Sequence, residues 1–145
     1  NKHNGLTFCA GSFSAGEHND CVAMAKQFAD RTHFVHLRSC YIFPNGNFTE
    51  ASHLGGRGHL IELCRIFEKA EQEGKCNSGR RLPMRVDHGM TFTDEPGGVF
   101  DESNHGHNAG YTLLGRMFAM GQIQGVIATV DDELGIEYKQ PGFYD

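Results

Sequence analysis

Residues 33–38 of the chain read His-Phe-Val-His-Leu-Arg. In this run the apolar Val35 and Leu37 alternate with the polar His36 and Arg38. Successive side chains of a β-strand point to opposite faces of the sheet, so one face would be buried and the other would carry polar groups. The run predicts a strand that packs helices on one side and presents histidine and arginine at its carboxyl end.

Two similar runs lie on either side of it along the sequence, at residues 6–9 and 82–86, and Pro83 fits the start of the second. Each run precedes apolar residues at helical spacing. The helical sets are Cys21, Met24, Ala25 and Phe28; Leu60, Leu63, Cys64 and Phe67; and Leu114, Met117, Phe118 and Gly121 in a helix that begins near Tyr111. Strands that alternate with helices predict an α/β fold with a parallel sheet of about three βα units.

The alternation also suggests how the chain divides. We expect residues 1–127 to form part of one catalytic domain and residues 128–145, which are acidic and then Pro/Gly-rich, to be a C-terminal extension. Three βα units are too few for a closed barrel, which needs eight. The first residue is Asn1 rather than Met, so we expect a piece of a longer chain.

Charge and composition exclude several classes of protein. The net charge is −5, with 13 basic and 18 acidic residues, which argues against a nucleic-acid-binding surface. No run approaches 18 consecutive apolar residues, so we predict no membrane span. The five cysteines form no CxxC pair, which favours free thiols in a reducing cytoplasm over a disulfide framework.

The three predicted strands end in residues that bind metals. The carboxyl ends of parallel strands meet at one edge, where Cys9, His36 and Asp87 would converge. Thiolate, imidazole and carboxylate together suit a divalent first-row ion such as Mn²⁺, Fe²⁺, Co²⁺ or Zn²⁺. Singly, each residue also fits a structural role, as a buried thiol, a hydrogen-bonded histidine or a turn-forming aspartate. The His-rich stretch at residues 104–108 fits a loop over the site better than a metal site.

Several segments together resemble the mannonate dehydratase family. The similar segments run in order along the chain, at residues 4–12, 33–38, 48–55, 82–89 and 110–116. The resemblance implies a (β/α)8 TIM barrel of the xylose-isomerase-like group, of which this chain would be the C-terminal portion. Val86 and Ala109 stand where the family usually has proline, and the segment between Gly89 and Tyr111 is longer than expected.

The same resemblance implies a reaction and a cofactor. Family members are hydro-lyases that remove water from D-mannonate to give 2-keto-3-deoxy-D-gluconate in hexuronate (glucuronate) catabolism. They use a divalent metal, Mn²⁺ or Fe²⁺, and Cys9, His36 and Asp87 match its ligands. A further histidine ligand of the family would lie before Asn1.

The resemblance further implies the residues that act on the substrate. Arg38, His88 and Tyr111 match catalytic positions, and we expect His53 and Arg85 to bind the substrate together with Arg38. Arg38 could clamp the carboxylate through its planar guanidinium. His88 and Tyr111 are the candidate acid and base, in either order.

The sequence also fits other functions. A sugar isomerase or epimerase of the same group would use a similar metal-binding edge, and an inactive metal-binding fragment is a third reading. For the full-length enzyme we expect a sugar-acid substrate, a homodimer, a cytoplasmic location, and neither nucleic-acid nor membrane partners. The isolated chain should be inactive, because three βα units leave sheet edges unpaired.

Overall fold

A computed structural model of the chain describes residues 1, 3–92 and 110–138. Strands and helices alternate along it, with one additional hairpin. The elements are β1 (Leu6–Cys9), α1 (Ala10–Ser14), α2 (Cys21–Phe28), β2 (Thr32–Leu37), β3 (Cys40–Ile42), β4 (Phe48–Glu50), α3 (Leu60–Gln72), β5 (Met84–Val86) and α4 (Leu113–Leu134).

Strands β1, β2 and β5 form the predicted parallel sheet, in the spatial order β1-β2-β5. Cys9 lies opposite His36, and His36 lies opposite Arg85 on the next strand. Pro83 precedes β5, and its carbonyl oxygen accepts a hydrogen bond of 2.9 Å from the backbone N–H of Val35. The α/β prediction is therefore confirmed within the described residues, and Pro83 sits at a strand start, where its missing N–H is tolerated.

The helices cover one face of this sheet. Leu60, Leu63, Cys64 and Phe67 of α3 are all buried against Phe8, Val35 and Leu37 of the strands. Burying a Leu or Phe side chain contributes about 1.5–3 kcal/mol, so this stripe holds α3 on the sheet. At the start of α2, the side chain of Asp20 accepts a hydrogen bond of 2.9 Å from the backbone N–H of Ala23. Asp20 therefore caps this helix.

The predicted buried face of α4 is wrong. Leu114, Met117 and Phe118 are exposed, whereas the helix buries Ala119, Ile123 and Val130. The cause lies at Gly115, where an added Cβ would come within 1.9 Å of the carbonyl oxygen of Met90. This close backbone crossing sets the rotation of the helix about its axis, and a helix with apolar residues on every side carries no sequence signal for that rotation.

Helix α4 is also longer than predicted. It continues through residue 127 to Leu134, and Val130 is 1% exposed, so the expected boundary between domain and extension falls inside a core helix. Its length and mean hydropathy, 1.2 over 18 residues, suffice to cross a membrane, with 22% of that window buried. Length and composition alone do not separate such a span from a helix that packs on a core, as α4 does through Ile123 and Val130.

Residues 40–50 form an antiparallel hairpin that was not predicted from the sequence. Strands β3 and β4 pair Cys40 with Glu50 and Ile42 with Phe48. The turn between them carries Gly46 at φ +84°, a conformation that favours glycine. Strands of three residues are too short to show alternation, which explains why the sequence did not reveal them. Most of the segment between Gly89 and Tyr111, including the loop predicted at the His-rich residues 104–108, lies outside the described residues.

Candidate active site

Cys9, His36 and Asp87 come together at the carboxyl ends of β1, β2 and β5. One ligand atom from each lies within 4.8 Å of the others. The Sγ of Cys9 is 4.0 Å from Oδ2 of Asp87, and Nδ1 of His36 is 3.7 Å from Oδ1 of the same carboxylate. The convergence follows from the register, because Cys9 and His36 are cross-strand neighbours and Asp87 follows the last residue of β5.

This cluster fits a divalent ion. Two ligands that each lie about 2.0–2.3 Å from one metal are at most about 4.6 Å apart, so closure around an ion needs only a small movement. One thiolate, one imidazole and one carboxylate form a mixed donor set that suits first-row metals. With three protein ligands, positions on the metal would remain for a substrate or for another ligand.

The charges around the cluster favour its metal-binding forms. Burial lowers the pKa of His36 and outweighs the opposite effect of Asp87, which keeps the imidazole neutral near pH 7. Burial raises the pKa of Asp87, but the hydrogen bond from Arg85 and the charges of the neighbouring imidazoles outweigh it. The net pKa of Asp87 is lowered, so its carboxylate stays ionised and able to bind a cation.

The sulfur of Cys9 has its own partner in the chain. The side chain of Ser12 donates a hydrogen bond to Sγ at 3.1 Å, and the backbone N–H of Ser12 lies 3.5 Å from the same sulfur. This contact caps the short helix α1 and orients the thiol toward the cluster. Hydrogen bonds of this kind orient metal ligands and tune their donor strength.

Arg38, Glu50 and His88 form a second, largely buried group beside the cluster, with side chains that are 13%, 9% and 15% exposed. Nε of Arg38 lies 3.1 and 3.0 Å from the two oxygens of Glu50, and Nη2 lies 2.5 Å from Oε1. Nδ1 of His88 is 2.9 Å from the same Oε1, while its Nε2 is 3.6 Å from Oδ2 of Asp87. Glu50 therefore links an arginine and a histidine next to the candidate metal ligands.

Tyr111 completes this side of the site. The centroid of its ring lies 4.4 Å from that of the His88 ring, and Cζ of Arg116 lies 5.6 Å from the same centroid of Tyr111. The guanidinium of Arg85 bonds Oδ1 of Asp87 at 2.6 Å and is nearly half exposed. His88 and Tyr111, which could both transfer protons, therefore lie on the same side of the site as the cationic Arg85.

His53 lies apart from these groups. It is 2% exposed, and its Nε2 bonds the carbonyl oxygen of Leu37 at 2.9 Å. His53 is one of the residues that line a surface pocket, together with residues 54–56 and the start of α3. The other predicted site residues gather at the strand ends, but His53 does not, and its role in substrate binding stays a prediction.

The sequence did not single out Glu50 as a site residue. Its segment fits a simple turn, and nothing local indicates that the hairpin folds Glu50 back onto Arg38. The one feature of the sequence that could have indicated Glu50 is its position in residues 48–55, a segment that resembles the mannonate dehydratase family.

A comparison of the chain with known families gives one clear match. The sequence profile described as D-mannonate dehydratase (UxuA) matches residues 1–136. The chain belongs to the mannonate dehydratase family. This confirms the resemblance seen in the sequence, and it covers every residue of the candidate site.

Curated relatives support the family assignment over most of the chain. Mannonate dehydratase 2 of Agrobacterium fabrum is 38% identical over 134 residues, 91% of this chain and 32% of that protein. Mannonate dehydratase of Saccharophagus degradans is 38% identical over 130 residues, 88% of this chain and 31% of that protein. The chain therefore spans about a third of the length of these mannonate dehydratases.

A solved structure shows the same fold. The crystal structure of mannonate dehydratase from Streptococcus suis serotype 2 superposes with a TM-score of 0.73 at 20% identity. The match covers 100% of this chain and 38% of that one. The α/β arrangement described above is thus the fold of a portion of a mannonate dehydratase.

Proposed function

We propose that the full-length protein is a metal-dependent dehydratase that converts D-mannonate to 2-keto-3-deoxy-D-gluconate in hexuronate catabolism. The observation that carries this proposal is the meeting of Cys9, His36 and Asp87 beside His88 and Tyr111. Dehydration of a sugar acid needs a site for a cation and two groups that move protons, and the residues gathered here are candidates for both roles. The identity of the substrate is inferred from membership of the mannonate dehydratase family.

We further propose that the full-length protein forms a complete barrel. Strands β1 and β5 are both edges of the described sheet, and the relatives are about three times as long as this chain. In the full-length protein β1, β2 and β5 would be three consecutive strands of a (β/α)8 barrel, with the site at their carboxyl ends. The isolated chain, with two open edges, is expected to be inactive.

A divalent ion, Mn²⁺ or Fe²⁺, would be held by Cys9, His36 and Asp87. When bound, it supplies stabilisation of the negative charge that develops on the substrate carboxylate during proton abstraction. Arg85, exposed beside Asp87, is placed to contact the same carboxylate. Glu50 occupies the Nε–Nη2 edge of Arg38, so a substrate bound by Arg38 would contact its Nη1–Nη2 edge.

The elimination itself requires two proton transfers. The C–H bond next to the carboxylate breaks and its proton goes to a base, while its electron pair forms the double bond. The neighbouring C–O bond breaks, and the leaving hydroxyl takes a proton from an acid and departs as water. The resulting enol then becomes the 2-keto product. His88 and Tyr111, whose rings are in contact, are the pair for these transfers.

Turnover of D-mannonate by the full-length protein with Mn²⁺ tests this function. We expect keto-acid product from the parent protein and a loss of at least about 1,000-fold in Asp87→Ala, because a ligand of the ion is gone. Mn²⁺ binding, followed by electron paramagnetic resonance, should be lost in the same variant. Asp132→Ala removes an exposed aspartate of α4 and should leave both unchanged.

The outcomes separate the rival functions. Sugar interconversion without release of water, with Mn²⁺ retained, would favour an isomerase or epimerase and contradict the dehydratase. Failure of the parent protein to bind Mn²⁺ or Fe²⁺ would contradict the metal site itself.

A further inference from the structure

Glu50 lies at the centre of the site without a role in the reaction proposed above. Its side chain is 9% exposed, and it contacts both Arg38 and His88. It is not among the groups that would bind the ion, because the cluster of possible ligands consists of Cys9, His36 and Asp87. A buried carboxylate that joins two functional side chains needs a physical explanation.

The hydrogen bonds at Glu50 determine which nitrogen of His88 carries hydrogen. A carboxylate paired with a guanidinium can only accept, so Nδ1 of His88, 2.9 Å from Oε1, must donate. In the neutral imidazole, Nε2 is then the nitrogen with the lone pair. That atom faces Asp87, at 3.6 Å from Oδ2, and so points toward the metal-binding residues.

Packing on the other side of His88 keeps the ring in this orientation. A Cβ added at Gly110 would lie 2.8 Å from Nδ1 of His88 and 3.1 Å from Cγ of Glu50. Gly110 adopts φ +93° and thereby lets its backbone approach both side chains. Together with the ring of Tyr111, this contact leaves little space for the imidazole to turn over.

We infer that Glu50 is a positioning residue, which holds His88 in the Nδ1–H tautomer and presents its Nε2 to the substrate. The same carboxylate holds Arg38 through two nitrogens, which gives it a fixed location from which to orient the imidazole. An acid that orients a histidine through one nitrogen lets the other nitrogen accept or return a proton. The inference rests on the proposed function for the use of Nε2, but the tautomer itself does not.

A simpler role has to be separated from this one. Glu50 could serve only to neutralise Arg38 and hold the hairpin β3–β4 on β2. In that case its removal would affect stability or substrate affinity, and its effect would not depend on His88. The test therefore needs a measurement that detects whether the effect of changing Glu50 depends on His88.

The first variant is Glu50→Gln in the full-length protein. An amide has a single acceptor oxygen, so in either orientation its NH₂ group faces a hydrogen of Arg38. We expect kcat for D-mannonate to fall on the order of 100-fold, with KM within about threefold and Mn²⁺ binding retained. Glu133→Gln, in the exposed pair with Arg65, is the matched control and should leave both constants unchanged.

The second measurement is a double-mutant cycle with His88→Gln. If Glu50 acts through His88, adding Glu50→Gln to His88→Gln should lower kcat by less than about threefold further. A second loss as large as that of Glu50→Gln alone would overturn the inference. Glu50→Asp keeps an acceptor for both partners and should recover part of the lost kcat.

The third measurement does not depend on activity. ¹⁵N-labelled histidine NMR of the Zn²⁺-loaded protein at about pH 8, where a free imidazole is neutral, reports the tautomer of each ring. The His88 signal, identified by its absence in His88→Gln, should show the Nδ1–H form and lose it in Glu50→Ala. The same tautomer in both proteins would overturn the inference. If the parent protein shows the Nδ1–H form but does not dehydrate D-mannonate, the proposed function fails and the positioning role of Glu50 stands.

Discussion

Two arginine–glutamate pairs in this chain have the same geometry in different surroundings. Arg38 and Glu50 lie at the strand ends, with side chains that are 13% and 9% exposed. Arg65 of α3 and Glu133 of α4 form a similar two-nitrogen contact, at 2.8 and 3.1 Å, with side chains that are 42% and 45% exposed. Both are two-point contacts between a guanidinium and a carboxylate.

The two pairs differ in burial rather than in the geometry of the contact. Water competes for Arg65 and Glu133 and screens their charges. At Arg38, burial lowers the guanidinium pKa, but the hydrogen bonds and charge of Glu50 outweigh this and raise it overall. In the described structure only the buried carboxylate also bonds an imidazole, so only that pair can position a reactive group.

The largest expected effect on stability comes from removing Arg38, and removing Arg65 serves as the control. Arg38→Ala leaves the carboxylate of Glu50 buried without its cation, so we expect the free energy of unfolding to fall by about 3 kcal/mol. Urea denaturation of the full-length protein measures this change. Arg65→Ala, the control, should give no resolved change in the denaturation midpoint. Equal losses in the two variants would mean that burial does not distinguish the pairs.

Gly110→Ala tests how tightly the buried group is packed. At φ +93°, and with a Cβ 2.8 Å from His88, alanine should destabilise the protein by about 2 kcal/mol and also lower kcat. Gly46→Ala is matched in backbone angle, at φ +84°, but has open space around its Cβ. It should cost about 1 kcal/mol through backbone strain alone and leave kcat unchanged. A normal kcat in Gly110→Ala would contradict the described packing of Glu50 and His88.

The smallest effect concerns Glu68, a carboxylate of α3 that has acidic neighbours. Burial, followed by the charges of Asp131 and Glu71, raises its pKa to about 7, although Arg81 acts in the opposite direction. The folded-state pKa lies above the unfolded value of 4.5, so the native state binds more protons between these values. The stability that Glu68 contributes is fully present below pH 4.5 and is lost as the pH rises through about 7.

Glu68→Gln removes this dependence on pH. Relative to the parent protein, we expect the variant to be more stable at about pH 8 by about 1 kcal/mol, after allowance for solvent screening of a partly exposed group. At about pH 4 the difference should vanish. Urea denaturation at the two pH values measures it, and a gain of the same size at both would show that the charge of Glu68 is not the cause.

Much of the candidate site follows from the sequence alone. Cys9, His36 and Asp87 could be predicted because each ends an apolar strand, and strands of a parallel sheet end at one edge. The buried stripe of α3 was also predictable, since its spacing fits a single helical face. These properties depend on a local period of two or about four residues, which any sequence displays directly.

The tertiary structure alone decided the contacts between distant residues. Glu50 meets His88 across 38 positions because a short hairpin folds back on β2, and strands of three residues carry too little pattern to reveal that. The buried face of α4 depends on the backbone crossing of Gly115 and Met90, not on its evenly apolar sequence. A sequence determines which faces can be buried, whereas the packing of other elements determines which of them are buried and which polar groups meet.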